Sequence, residues 1–228
     1  MACEWTKKHY FDTLFKAKDL GYQIKKVCDY SSEDKKVILL RHDIDFSLDY
    51  AHKLATYENR FDITSSYYVY LHSETYNALA PKSMEIIKKI KKLDHEIGLH
   101  YDSRYAVPCE DLLLQGKISS ITQHNPSMTE KPFWVTDLPL LNPSDLPIKY
   151  ISDSGRNWRS GCFCQWIGKE ESKLHILTHP IWWVGKGNSR AEIVYNMIQD
   201  QKINIDSAHD NIKQMLKDYN EEIGIEVI

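Results

Sequence analysis

Apolar and polar positions alternate between two periods along this chain, and the alternation itself predicts its elements. Residues 6–20 (TKKHYFDTLFKAKDL) repeat apolar positions at helical spacing, with Gly21 as a stop. A short strand is expected at YQIKKV, then a turn at SSEDKK. VILLRH reads as a buried strand of the parallel-sheet kind. Ser47 caps a helix through LDYAHKLATYENR, and ITSSYYVYL follows as a strand rich in β-branched and aromatic residues. Pro81 and Ser83 introduce a helix over about 83–93 that puts Ile86, Ile87 and Ile90 on one face. HEIGLH, KISSITQH, KYISDS and KLHILTH are further strands, interrupted at 125–147 by a proline-rich irregular crossing. From Ser189 to about Tyr219 the pattern is helical, with a break near Asn204–Asp206. The alternation of strand and helix predicts a parallel sheet of six to seven strands. That sheet either closes into a small (β/α) barrel or stays open and doubly wound. No linker divides the chain, so residues 1–228 read as a single domain.

The composition narrows the function classes. A net charge of -3 over 228 residues gives no nucleic-acid surface. Lys88, Lys89, Lys91 and Lys92 read as a solvated helix face. No apolar run reaches membrane-spanning length, and MACEWTKKHY lacks the apolar core of a signal peptide. The expectation is therefore a cytoplasmic protein without membrane insertion. Cys3, Cys28, Cys109, Cys162 and Cys164 show no paired C-x-x-C spacing and read as unreactive reduced thiols.

The chemistry gathers where strands stop. VILLR gives way to His42, Asp43 and Asp45, EIGL to His100 and Asp102, SSITQ to His124, KYIS to Asp153 and HILT to His179. In parallel α/β folds the carboxyl ends of the strands share one face, and active sites form there. Imidazole with carboxylate is a ligand set for a divalent metal such as zinc. A further carboxylate can act as general base and a histidine on the opposite wall as general acid. This suits metal-assisted hydrolysis of an amide or ester.

HDID at 42–45, HEIGLHYD at 95–102, QHNPS at 123–127, SDSGRNW at 152–158 and THPIWW at 178–183 occur in an order that resembles the polysaccharide deacetylase superfamily. That superfamily comprises carbohydrate esterase family 4 and its NodB-homology domain. The similarity is to a divergent branch associated with bacterial surface-polysaccharide and O-antigen gene clusters. The resemblance implies a distorted (β/α) barrel of about seven strands. It implies Asp43 as catalytic base, Asp45 and His100 as metal ligands and His179 as general acid. Trp158, Trp182 and Trp183 become an apolar wall facing the sugar. Two departures stand out. Ile44 separates aspartates that the family places side by side. Arg104 stands where the family has its second histidine ligand, and His124 where it has an arginine, as if the two had been exchanged. His124 then takes the third ligand position, with Asp102 as a second possibility. Asp153 either caps the turn at Ser154–Gly155 or orients His179. His95, at the start of its strand, reads as structural.

The resulting expectation is a zinc-dependent carbohydrate deacetylase or related amide or ester hydrolase in cell-surface polysaccharide assembly. Its substrate would be a carbohydrate, as a sugar nucleotide or a lipid-linked sugar. His42, Arg41, Asp102, Arg104 and the three tryptophans are expected to contact it. Two further readings remain: a non-catalytic sugar-binding protein on a degenerate deacetylase scaffold, and a glycosyltransferase using Asp43-Ile44-Asp45 as a D-x-D motif.

Overall fold

A computed structural model describes residues 3–104, 118–124 and 146–201. The 125–127 part of the third motif, most of the 125–147 crossing, Cys109 and the helical expectation beyond 201 lie outside the described residues. The chain divides into two compact units, residues 1–184 and 185–228. In the second, residues 190–201 are helical, and the Ser189 hydroxyl accepts the Glu192 N–H at 3.1 Å. Among the described residues, no helix is long and apolar enough to cross a membrane.

Among the described residues, the first unit is built on seven parallel strands. They are β1 (Gln23–Lys25), β2 (Val37–Ile44), β3 (Ser66–Tyr70), β4 (Glu96–Tyr101), β5 (Ile121–Gln123), β6 (Lys149–Ser152) and β7 (Lys173–Thr178). The helices are α1 (Lys7–Asp19), α2 (Leu48–Asn59), α3 (Pro81–Lys92) and α4 (Pro180–Val184). The start of α1 is set by Thr6, whose hydroxyl accepts the His9 N–H, and that of α2 by Ser47, which accepts the Tyr50 N–H. Gly21, just past α1, takes φ 82°, the left-handed conformation that ends helices.

Hydrogen-bonded neighbours run β5-β4-β3-β2-β7-β6, with β1 beside the first half of β2. Each strand from β2 to β5 is followed by its successor, and β7 pairs back onto β2. This is the cyclic order of a barrel with its seam between β5 and β6. Among the described residues, the helices of this unit pack on one side of the sheet. Residues of α2 and α3, including Ala51, Ala55, Ile86 and Ile90, pack in one cluster with Tyr67, Val69, Ile97 and Leu99 of the sheet's outer face. Tyr10 of α1 reaches the same side through Glu58 of α2. A doubly wound sheet would need helices on both faces. The sheet is also curled. On a flat sheet β2 and β5 stand about 14 Å apart, yet metal-ligating atoms just past their ends, on Asp45 and His124, lie within 4.8 Å.

The inner face is unusually polar for a buried surface. With side chains alternating, β2 turns Arg41 and Asp43 inward, β3 Ser66, Tyr68 and Tyr70, and β4 Glu96 and His100. At the base, Glu96 accepts from Ser66, Ser120 and the Cys28 backbone N–H, which plugs the amino end of the half-barrel. Tyr68 lies across β4 to meet the Ser120 hydroxyl at 2.6 Å. The crossing requires Gly98, since a Cβ there would stand 2.4 Å from Tyr68 Cε1. Gly98→Ala is therefore expected to destabilise the fold by about 1–3 kcal/mol, the usual cost of overpacking. Thermal unfolding followed by circular dichroism checks this. An unchanged midpoint would mean that the Tyr68 ring moves aside freely.

Candidate active site

At the carboxyl ends of β2, β4, β5 and β7, four segments bring their polar side chains to one mouth. Asp43 is fully buried, and Arg41 two residues earlier on the same face holds it through two bonds of 2.7 Å, Nε–H to Oδ1 and Nη2–H to Oδ2. Burial alone would raise the Asp43 carboxyl. The Arg41 guanidinium, with His100 and His179, brings it below its ordinary value, so it stays ionised. His100 spends Nδ1 on the Thr122 hydroxyl at 2.9 Å and turns Nε2 to the site, 3.4 Å from Asp43 and 3.7 Å from Asp45. Burial pushes His100 down to about 4, against the pull of the two carboxylates, and leaves its ring neutral with a lone pair to give.

His179 closes the opposite wall. Its ring Nδ1 lies 2.6 Å from Asp153 Oδ1, and its backbone N–H donates to both Asp153 oxygens. Its Nε2 stands 3.4 Å from Asp45 Oδ2. Burial opposes the charge on His179, but Asp153 and Asp45 outweigh it and carry the ring well above its ordinary value. Asp153 thus orients His179 and is itself held by the Trp183 indole N–H at 2.9 Å. At the 3-10 turn Ser154–Arg156 that follows, the Asp153 side chain makes no capping hydrogen bond.

Ligating atoms of Asp45, His100 and His124 all lie within 4.8 Å of one another. The donor set suits a divalent ion. Asp45 Oδ1 is buried with no hydrogen-bond partner among the described residues, and His100, its Nδ1 engaged by the Thr122 hydroxyl, turns Nε2 to the site. Arg104 follows Asp102 by two residues. Its guanidinium folds back onto Asp102 with bonds of 3.0 and 2.6 Å, and its side chain is 54% exposed. Asp102 also accepts from the Tyr70 hydroxyl at 3.2 Å, and His124 Nδ1 stands 3.5 Å from it. Asp102 and Arg104 therefore form a pair beside the ligand set.

Other expected contacts are corrected. His42 points to the helix side of the sheet, because neighbours on a strand face opposite ways. It is fully buried between Thr178, 2.7 Å from Nδ1, and Glu58, 2.9 Å from Nε2, and reaches no substrate. Arg41 is 2% exposed, and its guanidinium is engaged by Asp43, which it positions. The tryptophan wall does not form as read. Trp182 and Trp183 lie on the helical turn α4, not on a strand, and both are buried. Trp183 packs among Trp5, Tyr10 and Phe163, and Trp158 stacks on Trp5 at 5.4 Å. His95 joins the helix-side network, with Nδ1 3.0 Å from the Ser65 hydroxyl and Nε2 3.1 Å from the Ala55 carbonyl.

Sequence reasoning missed Thr122 and Glu96, which serve the inner face. Their signal was the alternation itself, since S120/T122/H124 and E96/G98/H100 are polar or small at every second position.

No protein-family model matches the chain, and no curated protein matches it. Among solved structures, it is similar to the Xyl-CE4 domain of a multidomain xylanase from the hindgut metagenome of Trinervitermes trinervoides. The identity there is 12% and the TM-score 0.45, over 75% of this chain and 85% of that one. It is similar to a mutant of BA3943, a CE4 family pseudoenzyme with restored enzymatic activity, at 13% identity and TM-score 0.45, over 75% of this chain and 64% of that one. A family 4 carbohydrate esterase from Bacillus anthracis aligns at 15% identity and TM-score 0.40, over 84% of this chain and 86% of that one.

Proposed function

We propose that this chain is a metal-dependent hydrolase that removes an acyl group from a sugar amide or ester, acting in bacterial cell-surface polysaccharide assembly. The observation that carries the chemistry is the meeting of Asp43, Asp45, His100 and His179, from three strand ends, within hydrogen-bonding or near-bonding reach. The resemblance of the five sequence motifs to polysaccharide deacetylases supports the substrate class.

Asp45, His100 and His124 would hold the metal. When bound, a zinc-like ion supplies a Lewis acid that polarises the acyl carbonyl and makes water more acidic. Asp43, kept ionised and aimed by Arg41, takes the proton of the attacking water. His179, kept protonated by Asp153, gives a proton from Nε2 to the departing nitrogen or oxygen. The Arg41–Asp43 pair is buried, so it meets the reacting centre without rearranging in solvent. A sugar-binding module needs neither a carboxylate base nor a carboxylate-oriented histidine. The pairing of Arg104 with Asp102 offsets its charge beside the ligand set, which supports the metal-dependent reading. The D-x-D reading leaves His100 and His179 without work.

The test is metal stoichiometry together with turnover of acetylated oligosaccharides and of chromogenic acetyl esters. His100→Ala and His124→Ala are each expected to lose one equivalent of divalent metal and to fall to background hydrolysis. If both variants keep the full metal content of the parent, the ligand assignment is wrong. If the metal is lost but hydrolysis persists, the reaction does not depend on it.

A further inference from the structure

A second cluster of metal-binding side chains lies away from the mouth and has no place in the hydrolytic scheme. Cys3, on the stretch leading into α1, and His9, in the first turn of α1, meet Cys162 and Cys164 at the 3-10 turn Phe163–Gln165. One ligating atom from each of the four lies within 4.8 Å of all the others. Cys3 Sγ is 2.7 Å from Cys162 Sγ and 3.2 Å from His9 Nε2, which in turn is 3.4 Å from Cys162 Sγ. Cys162 is buried, and the other three are half-buried. This revises the expectation of isolated inert thiols: C-x-C is one half of a set whose other half lies some 160 residues away along the chain.

We propose that Cys3, His9, Cys162 and Cys164 form a structural zinc site. The chemistry is selective. Three thiolates and one imidazole are a closed set for tetrahedral zinc, leaving no position for water or substrate. All three cysteines are free in the structure. A disulfide between Cys3 and Cys162 would satisfy two groups and leave Cys164 and His9 idle, whereas one ion uses all four. Zinc–sulfur bonds of about 2.3 Å set ligands roughly 3.5–3.8 Å apart, so Cys3 and Cys162 part by about 1 Å on binding. The site has the dry backing that such centres use. His9 meets the Phe163 ring edge-on, and Phe163 packs against Trp158 and Trp183.

The ion would staple the N-terminal arm to the loop that follows β6. That loop carries Trp158 and Phe163, which support Trp183, and Trp183 holds Asp153 against His179. The staple would thus steady the general acid from behind without touching substrate.

The experiment loads the full chain, purified under reducing conditions, with Co²⁺ in place of Zn²⁺. A thiolate-to-cobalt charge-transfer band in the near ultraviolet is expected. It should persist in His100→Ala, since the ligand set at the mouth has no sulfur, and vanish in Cys3→Ser and Cys164→Ser. Where a cysteine variant fails to fold, the parent protein decides. Zinc-loaded parent treated with an organomercurial should release one equivalent of zinc as its thiols react. The proposal is overturned by absence of the band with no thiol-dependent zinc release. A Cys3–Cys162 disulfide found by alkylation and mass spectrometry in the freshly isolated protein also overturns it.

Discussion

Asp43→Asn is expected to lower turnover of an acylated sugar by about 10²–10⁴-fold, the range set by loss of a general base. The asparagine keeps one oxygen for the Arg41 guanidinium but cannot accept the proton of water. The metal ligands are untouched, so metal content should match the parent. A structural cost accompanies the kinetic one. Arg41 is 2% exposed, and without the Asp43 charge its guanidinium is buried opposite a neutral group. Breaking a buried pair from one side costs about 3–5 kcal/mol. The measurement is therefore kcat per folded molecule, taken well below the midpoint of the variant's own melting curve. Full turnover in a folded, metal-loaded variant would falsify the assignment of Asp43 as base.

A stability effect of similar size is expected at Glu58, on the other side of the sheet. This fully buried α2 carboxylate accepts from Tyr10, from Ser65 at 2.7 Å and from Tyr67 at 2.8 Å, and faces His42 at 2.9 Å. It ties α1, α2, β2 and β3 together, and through His42 and Thr178 it ties β7. Glu58→Ala strands those donors in an apolar layer and should cost on the order of 3–5 kcal/mol. For a chain of this size that lowers the melting midpoint by roughly 6–20 °C. The pH dependence has a definite sign. Burial would raise the Glu58 carboxyl, but His42 and the converging donors hold it down to about 2, from an unfolded value of 4.5. A depressed carboxylate contributes its full stability above the unfolded value and loses it as pH falls through the folded one. Wild type should therefore lose on the order of 3 kcal/mol between about pH 4.5 and pH 2 from this group. Urea melts at several pH values compare the two proteins. If their stability difference stays constant down to pH 2, Glu58 is not the buried anion described.

Much of the architecture was legible along the chain because it rests on local rules. Ser47 and Gly21 mark helix ends through their own hydrogen bonding and backbone freedom. The seven strands follow apolar runs bounded by turns. That Asp43 and His100, near the ends of β2 and β4, come to one face follows from parallel winding, which gathers the carboxyl ends of the strands there. The separation of His42 from Asp43 was legible too, since alternation on a strand is a local property, though the compact HDID motif invited a shared role.

Other features were decided only by tertiary structure. Arg104 turns to Asp102, a contact that the family motif gave no reason to expect. Trp182 and Trp183 became a helical turn packed against α1 and α2, where the resemblance implied an apolar wall facing the sugar. Cys3, His9, Cys162 and Cys164 share no local pattern, since their meeting depends on how α1 docks beside the loop after β6. Periodicity and capping act over a few residues and can be read in order. Which distant side chains touch is set by the curl of the sheet and the seating of helices on it, and no short stretch of chain contains that information.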